Sequence, residues 1–206
     1  MNVFNIVIAG VGGQGVLMAS KVLAESALAG GMDAKQNEVH GMAQRGGSVI
    51  SFVRMGEKVY SPVVTPGTAD LLISFEPLEA LRYLHYLKPT GVLVYNSVAI
   101  NPSTVASGMA VYPTDLPEQI AQGSPGALGF DALAIAKEAG NPKAVNMVMV
   151  GAVMKNLPID PAIVRGVVEE ISRNKGGEVN LRALQGGSAA AMHEREFARS
   201  SSVSTS

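Results

Sequence analysis

The chain has 206 residues, 47% hydrophobic and 16% charged, enough to bury the core of one compact domain without a disulfide or metal staple. It has no cysteine, which excludes a disulfide scaffold, a thiolate zinc site, a cysteine nucleophile and an iron–sulfur cluster held by this chain alone. Lys plus Arg is 16 against 17 Asp plus Glu, so the net charge of −1 offers no basic excess to a nucleic acid.

The low charge, with 23 Gly, 10 Met and no Trp, describes a chain that packs against something else. We read it as a subunit rather than a free monomer, with a homo-oligomer of the isolated chain left open. The start, Met1 to Ile6, has no basic stretch and Asn5 interrupts its apolar run, so no signal peptide is expected. The longest apolar stretch, Val145 to Met154, contains Asn146 and Gly151 and is too short for a bilayer. No membrane partner is expected, and the cytoplasm is the default.

The first element is a strand over Val3 to Ala9, apolar throughout as a strand buried on both faces must be. After a Gly-rich turn, a helix is predicted from Gln14 to Ala29, with Val16, Leu17, Val22, Leu23 and Leu28 as its buried stripe and Gly30-Gly31 as its stop. A strand over Asp33 to Val39 leads into the Gly-rich stretch His40 to Gly47. Ser48 to Met55 and Lys58 to Val64 then read as an antiparallel hairpin about Gly56-Glu57. Asp70 to Phe75 is a strand, and Glu76-Pro77 opens a helix with proline in its first turn. Gly91 to Tyr95 and Met109 to Pro113 are read as strands. Helical patterns cover Phe130 to Ala139, Ala144 to Lys155, Pro161 to Arg173 and Leu181 to Glu196, with Asp160 as a cap. The alternation implies an α/β fold: a three-layer α/β/α sandwich on a mostly parallel sheet with an antiparallel hairpin. One domain is expected over residues 1–196, and a disordered serine-rich tail over 197–206.

Gly10-Val11-Gly12-Gly13-Gln14-Gly15 lies between the first strand and the first helix. Glycine there permits positive φ and lets a ligand phosphate approach main-chain N–H groups at the positive end of the helix. Gly10, Gly12 and Gly15 match the dinucleotide fingerprint, with Glu38 the candidate ribose ligand, but the Gly-rich, Arg-containing stretch after it is foreign to that fold. A P-loop is excluded, because Val16 and Leu17 occupy the places of its Lys and Ser/Thr. The plainer alternative is that these glycines serve strand–helix packing.

His40-Gly41-Met42-Ala43-Gln44-Arg45-Gly46-Gly47 is the second candidate loop. Arg45 can bond a phosphate or carboxylate through two N–H groups, and the glycines let the chain wrap close around it. Against this stands a surface loop with a solvated Arg. The loop follows a strand expected to neighbour the first, so both loops should open on the carboxyl edge of the sheet. His40 could bind an anion or shuttle a proton. Asn96 ends a strand at the same edge and joins the candidates, whereas Glu76 and Asp115 read as a helix start and a turn. No H-E-x-x-H pair, no G-x-S-x-G elbow and no acid–base set is present, so no residue is assigned a catalytic role.

At these two loops the chain resembles the gamma-type domain of the 2-oxoacid:ferredoxin oxidoreductases. Gly10 to Val16 is similar to that family's opening G-x-G-G-Q-G turn, and Arg45-Gly46-Gly47 to its R-G-G loop. The variant His40 to Gly47 most resembles the beta subunits of the indolepyruvate ferredoxin oxidoreductases, and the likeness runs to about Glu196. The resemblance implies a complex that decarboxylates an aryl pyruvate such as indolepyruvate, forms an acyl-CoA and passes electrons to ferredoxin. It implies that thiamine diphosphate and iron–sulfur clusters belong to a larger partner subunit, and that this chain is inactive alone. It implies for this chain a surface for coenzyme A, a substrate, with Gly10, Gly12, Gly13, Gln14, Gly15, His40, Gln44, Arg45, Gly46, Gly47 and Asn96 as the binding set. A freestanding nicotinamide-dependent dehydrogenase and a purely structural subunit are the alternatives.

Overall fold

The computed structural model describes residues 3–40, 47–101, 105, 108–109, 111–173 and 176–203, with side chains through Glu194 except that of His40. Six strands form one sheet: β1 (Phe4–Val11), β2 (Asp33–His40), β3 (Ser48–Gly56), β4 (Ala69–Ser74), β5 (Leu87–Asn96) and β6 (Leu128–Phe130), in the spatial order β2-β3-β1-β4-β5-β6. β4 pairs parallel with β1 and β5, and β6 parallel with β5, whereas β3 runs antiparallel to both of its neighbours.

Side chains alternate across the sheet as the pleat requires. Ile6 and Ile8 enter one core with Val53, Leu71 and Ile73, while Val7 and Ala9 enter another with Ile50, Phe52, Leu72 and Leu93. The first core is closed by α1 (Val16–Ala29), α4 (Ala132–Glu138), α5 (Val145–Val153), α6 (Pro161–Ser172) and α7 (Gly177–Val203). The second is closed by α2 (Pro77–Tyr83) and α3 (Leu116–Gly123), through Ala80 and Ile120. Each fully buried Ile or Leu contributes on the order of 2 kcal/mol. The fold is thus the three-layer α/β/α sandwich expected from the alternation.

Several local expectations differ. Residues 58–64 form no strand. Pro62 cannot donate to a ladder, and the segment is held from outside instead: Val59 N–H donates to Asp33 Oδ2 at 2.8 Å and Arg54 Nη1 donates to Ser61 O at 2.9 Å. The partners of Ser48–Gly56 are β2 and β1. At 109–113 the described residues are not extended into the sheet, and the sixth strand is the short β6 that precedes α4. In α1 the inward stripe runs through Val16, Ala19, Leu23 and Ala27, leaving Leu17 and Leu28 on the outside at 41% and 55% exposure. α7 carries the backbone helically to Val203, into the segment read as a disordered tail.

Two caps follow the sequence reading. Asp160 Oδ1 accepts from Ala162 N–H at 2.8 Å at the start of α6, and Glu76 Oε2 accepts from Glu79 N–H at 3.1 Å at the start of α2. Helices α5 and α7 cross with backbone against backbone: a Cβ on Gly151 would lie 2.0 Å from Leu184 O, and one on Gly187 would lie 1.9 Å from Val148 O. Only glycine at both points permits that approach.

Candidate functional site

β1 ends buried between β3 and β4, so the turn after it opens at the carboxyl edge of the sheet. Gly13 (φ 102°) and Gly15 (φ 87°) have left-handed backbones, which reverse the chain into α1. Gln14 is spent on the turn itself. Its Oε1 accepts from Val11 N–H at 2.6 Å and its Nε2 donates to Phe75 O at 2.8 Å, tying the turn to the end of β4. Gly10 is needed for the same construction, since a Cβ there would lie 2.9 Å from Gln14 Oε1 and 3.0 Å from Phe75 Cβ. With Gln14 holding the shape, the N–H groups of Gly13, Gly15 and Val16 have no acceptor among the described residues. They form the open end of α1, a place for negative charge.

The second loop meets this turn directly. Gly12 N–H donates to Gly47 O at 2.9 Å, so the end of the Arg-containing stretch lies against the glycine turn. Gln44, Arg45 and Gly46, with Gly41 to Ala43, lie outside the described residues, as does the side chain of His40 at the end of β2. The strand expected to neighbour β1 on that side is β2, but β3 lies between them. This separation bears on Glu38. It stands two strand spacings from β1, on the order of 10 Å, not on the adjacent strand where a dinucleotide fold holds its ribose.

Asn96 is 2% exposed and works as a brace. Its Oδ1 accepts from Ala132 N–H at 3.0 Å and its Nδ2 donates to Phe75 O at 3.2 Å, joining the end of β5 to the end of β4 and the start of α4. On the α2 side, Ser48 donates to Glu79 Oε2 and pairs with Tyr83 Oη at 2.9 Å, while Arg82 faces Glu79 Oε1. Burial pushes the Glu79 carboxyl above its ordinary value, against the opposing pull of Ser48 and Arg82. Glu76, also buried, accepts from Ile100 N–H at 3.3 Å and from the Tyr112 hydroxyl. Burial and the Glu76 carboxylate raise the Tyr112 hydroxyl pKa strongly. These contacts fix the foot of the second loop and the segment after β5.

Between the turn and that segment lies a cleft of about 430 Å³, within the range of small-molecule sites. Gly13, Gln14, Gly15 and Asn96 form one side. Val98, Ile100, Leu133 and Val145 supply apolar walls, and the exposed Lys143 completes the lining. Lys143 escaped the sequence reading, because a lone Lys before an apolar helix carries no motif. Asn96 and the first loop do converge on one cleft, and the second loop adjoins them through Gly47. Among the described residues no group of three His, Asp or Glu is placed to hold a metal ion, and no helix is long and apolar enough to cross a membrane.

Comparison with known proteins agrees with this architecture. Residues 5–190 match the family described as pyruvate ferredoxin/flavodoxin oxidoreductase. The chain is 43% identical over 196 residues to indolepyruvate oxidoreductase subunit IorB of Thermococcus kodakarensis, covering 93% of this chain and 97% of that one. Among solved structures, a keto/oxoacid ferredoxin oxidoreductase gamma subunit from Geobacter sulfurreducens superposes with a TM-score of 0.70 at 24% identity, over 92% of this chain and 99% of that one. A 2-oxoglutarate:ferredoxin oxidoreductase from Magnetococcus marinus with 2-oxoglutarate, coenzyme A and succinyl-CoA bound gives 0.70 at 22% identity, over 94% of this chain and 32% of that one. At those identities the two structures establish the shared fold alone. The chain belongs to the pyruvate ferredoxin/flavodoxin oxidoreductase family.

Proposed function

We propose that this chain is the small subunit of a ferredoxin-dependent 2-oxoacid oxidoreductase acting on an aryl pyruvate such as indolepyruvate, and that it supplies the surface that grips coenzyme A. In the overall reaction the bond between the carboxylate and the keto carbon breaks and CO2 leaves. The acyl group passes to the thiol of coenzyme A, and two electrons pass to ferredoxin. Membership of the family implies that thiamine diphosphate and the iron–sulfur clusters belong to the larger partner subunit, and for the clusters the lack of cysteine in this chain fits that division. On this reading the chain is inactive alone and acts as part of the complex, with the cytoplasm as its assigned compartment.

The observation that carries this reading is the tie from Gly12 N–H to Gly47 O beside the unpaired N–H groups of Gly13, Gly15 and Val16. It sets the anion-seeking turn against the end of the loop that contains Arg45. The likeness to IorB adds the substrate class, and the coenzyme A named for the Magnetococcus enzyme adds the ligand. Gly10, Gln14 and Asn96 shape the site and Gly13 and Gly15 offer it their N–H groups, while His40, Gln44, Arg45 and Gly46 are assigned to the anion from the sequence alone. The test is Arg45→Ala in the assembled complex. Losing a charged bond should weaken coenzyme A binding about tenfold or more, and an unchanged affinity overturns the reading.

A further inference from the structure

The cleft described above is not the only cavity that Lys143 lines. A second, of about 250 Å³, lies among α1, α5, α6 and α7. Its polar lining includes three amides, Asn141, Asn146 and Asn180, and Ser172, beside the apolar Met18, Val22 and Ile171. Asn141 Oδ1 accepts from Lys143 N–H at 3.0 Å and Asn146 Oδ1 from Met147 N–H at 2.9 Å, so each oxygen already holds one donor, while the amide N–H groups have no acceptor among the described residues. Asn146 lies directly behind the glycine turn, since a Cβ on Gly15 would sit 2.9 Å from its Nδ2.

Lys143 itself is exposed, and no carboxylate lies within ion-pair distance of it among the described residues. The turn that carries it is firmly braced. Gly140 has a left-handed backbone (φ 105°), and Arg182 on α7 donates to Ala139 O twice, from Nε at 3.1 Å and from Nη2 at 3.0 Å. A cation on a fixed turn, shared by two cavities and unneutralised by the fold, is suited to an anion from outside.

We infer that Lys143 is a second phosphate-gripping residue of this site, in addition to Arg45, and that the ligand lies across it with its adenine ring in the larger cleft and its amide-bearing arm in the smaller cavity. This rests on the coenzyme A reading and extends it to a residue and an orientation. The phosphate sits between the Lys143 ammonium and the N–H groups of the glycine turn. The side-chain amides of Asn146 and Asn180 donate to carbonyl oxygens along the arm.

The test uses the assembled complex and equilibrium binding of coenzyme A and of pantetheine, which keeps the arm and lacks the phosphates. Lys143→Ala should weaken coenzyme A by about tenfold to a hundredfold, flatten its salt dependence and shift pantetheine less than threefold. Lys143→Arg should recover most of the loss. Asn180→Ala should weaken both ligands, each by about threefold to tenfold. If Lys143→Ala weakens the two ligands equally, or neither, the phosphate role is overturned. If Asn180→Ala affects neither, the orientation is overturned. Loss of coenzyme A binding in Arg45→Ala with a silent Lys143→Ala removes this inference and leaves the coenzyme A reading standing, whereas a silent Arg45→Ala removes the reading and this inference with it.

Discussion

The crossing of α5 and α7 makes a quantitative prediction, because it contains two points of contact with no room for a side chain. In Gly151→Ala the new methyl would start 2.0 Å from Leu184 O, where ordinary Cβ contacts begin at 3.4 Å. The obstacle is helical backbone rather than the tip of a side chain, so the two helices must part by more than an ångström. Overpacking of this kind costs about 3 kcal/mol at the upper end of its usual range, and replacing helical Gly by Ala returns about 1 kcal/mol. The net loss is about 2 kcal/mol, a fall in Tm of roughly 4–8 °C for a chain of this length. Gly166, on the exposed side of α6, has nothing within 4 Å of its would-be Cβ. There the same substitution should raise Tm by about 2–4 °C. Thermal unfolding followed by circular dichroism, with urea titration as a second measure, compares the two variants with the parent. Equal signs for the pair, or a Gly151→Ala protein as stable as the parent, would refute the packing argument.

Asn96→Ala strands the buried Ala132 N–H and should lower unfolding stability by about 1–3 kcal/mol. Urea midpoints measure it, and a change under 0.5 kcal/mol, about the scatter of neutral surface changes, would show that water replaces the brace. Glu79 gives a pH signature. Its folded-state pKa is raised above the ordinary 4.5, so the folded chain holds that proton more tightly than the unfolded one, and stability falls as pH rises from about 4.5 through the raised value. Glu79→Gln does not titrate, so the stability of the parent relative to this variant should decline over that window. A difference that stays constant or grows with pH contradicts the burial of Glu79 as the dominant cause.

How much of this was legible in the sequence follows from how local each signal is. The β1–turn–α1 unit was readable because apolar continuity, glycine spacing and a helical stripe lie within one stretch of about 30 residues. The neighbours of Ser48–Gly56 were not, since pairing across a sheet is decided by distant segments. Its almost unbroken burial in the sheet is that of a strand flanked on both sides, a pattern that argues against the end hairpin expected from Gly56-Glu57. β6 is three residues long and offered no period to detect. At the site, glycines and Arg45 stood out by motif, but the structural employment of Gln14 and Asn96 depends on Phe75 O, a carbonyl far from both in sequence. Lys143 was invisible for the opposite reason: only its position between two hollows distinguishes it.

The reversal of β3 has one more consequence. An all-parallel sheet delivers each strand's exit to one edge and each entrance to the other, so the approach to β3 would begin about 30 Å away across its nine residues. Because β3 points the other way, its entrance shares a rim with the exit of β1, and a stretch of only seven residues can leave β2 and arrive at Gly47 without crossing the molecule. A single inverted strand therefore does the work that a long crossover would otherwise perform, and any rearrangement that restored its direction would carry Gly47 away from the Gly12 N–H to the opposite edge of the sheet.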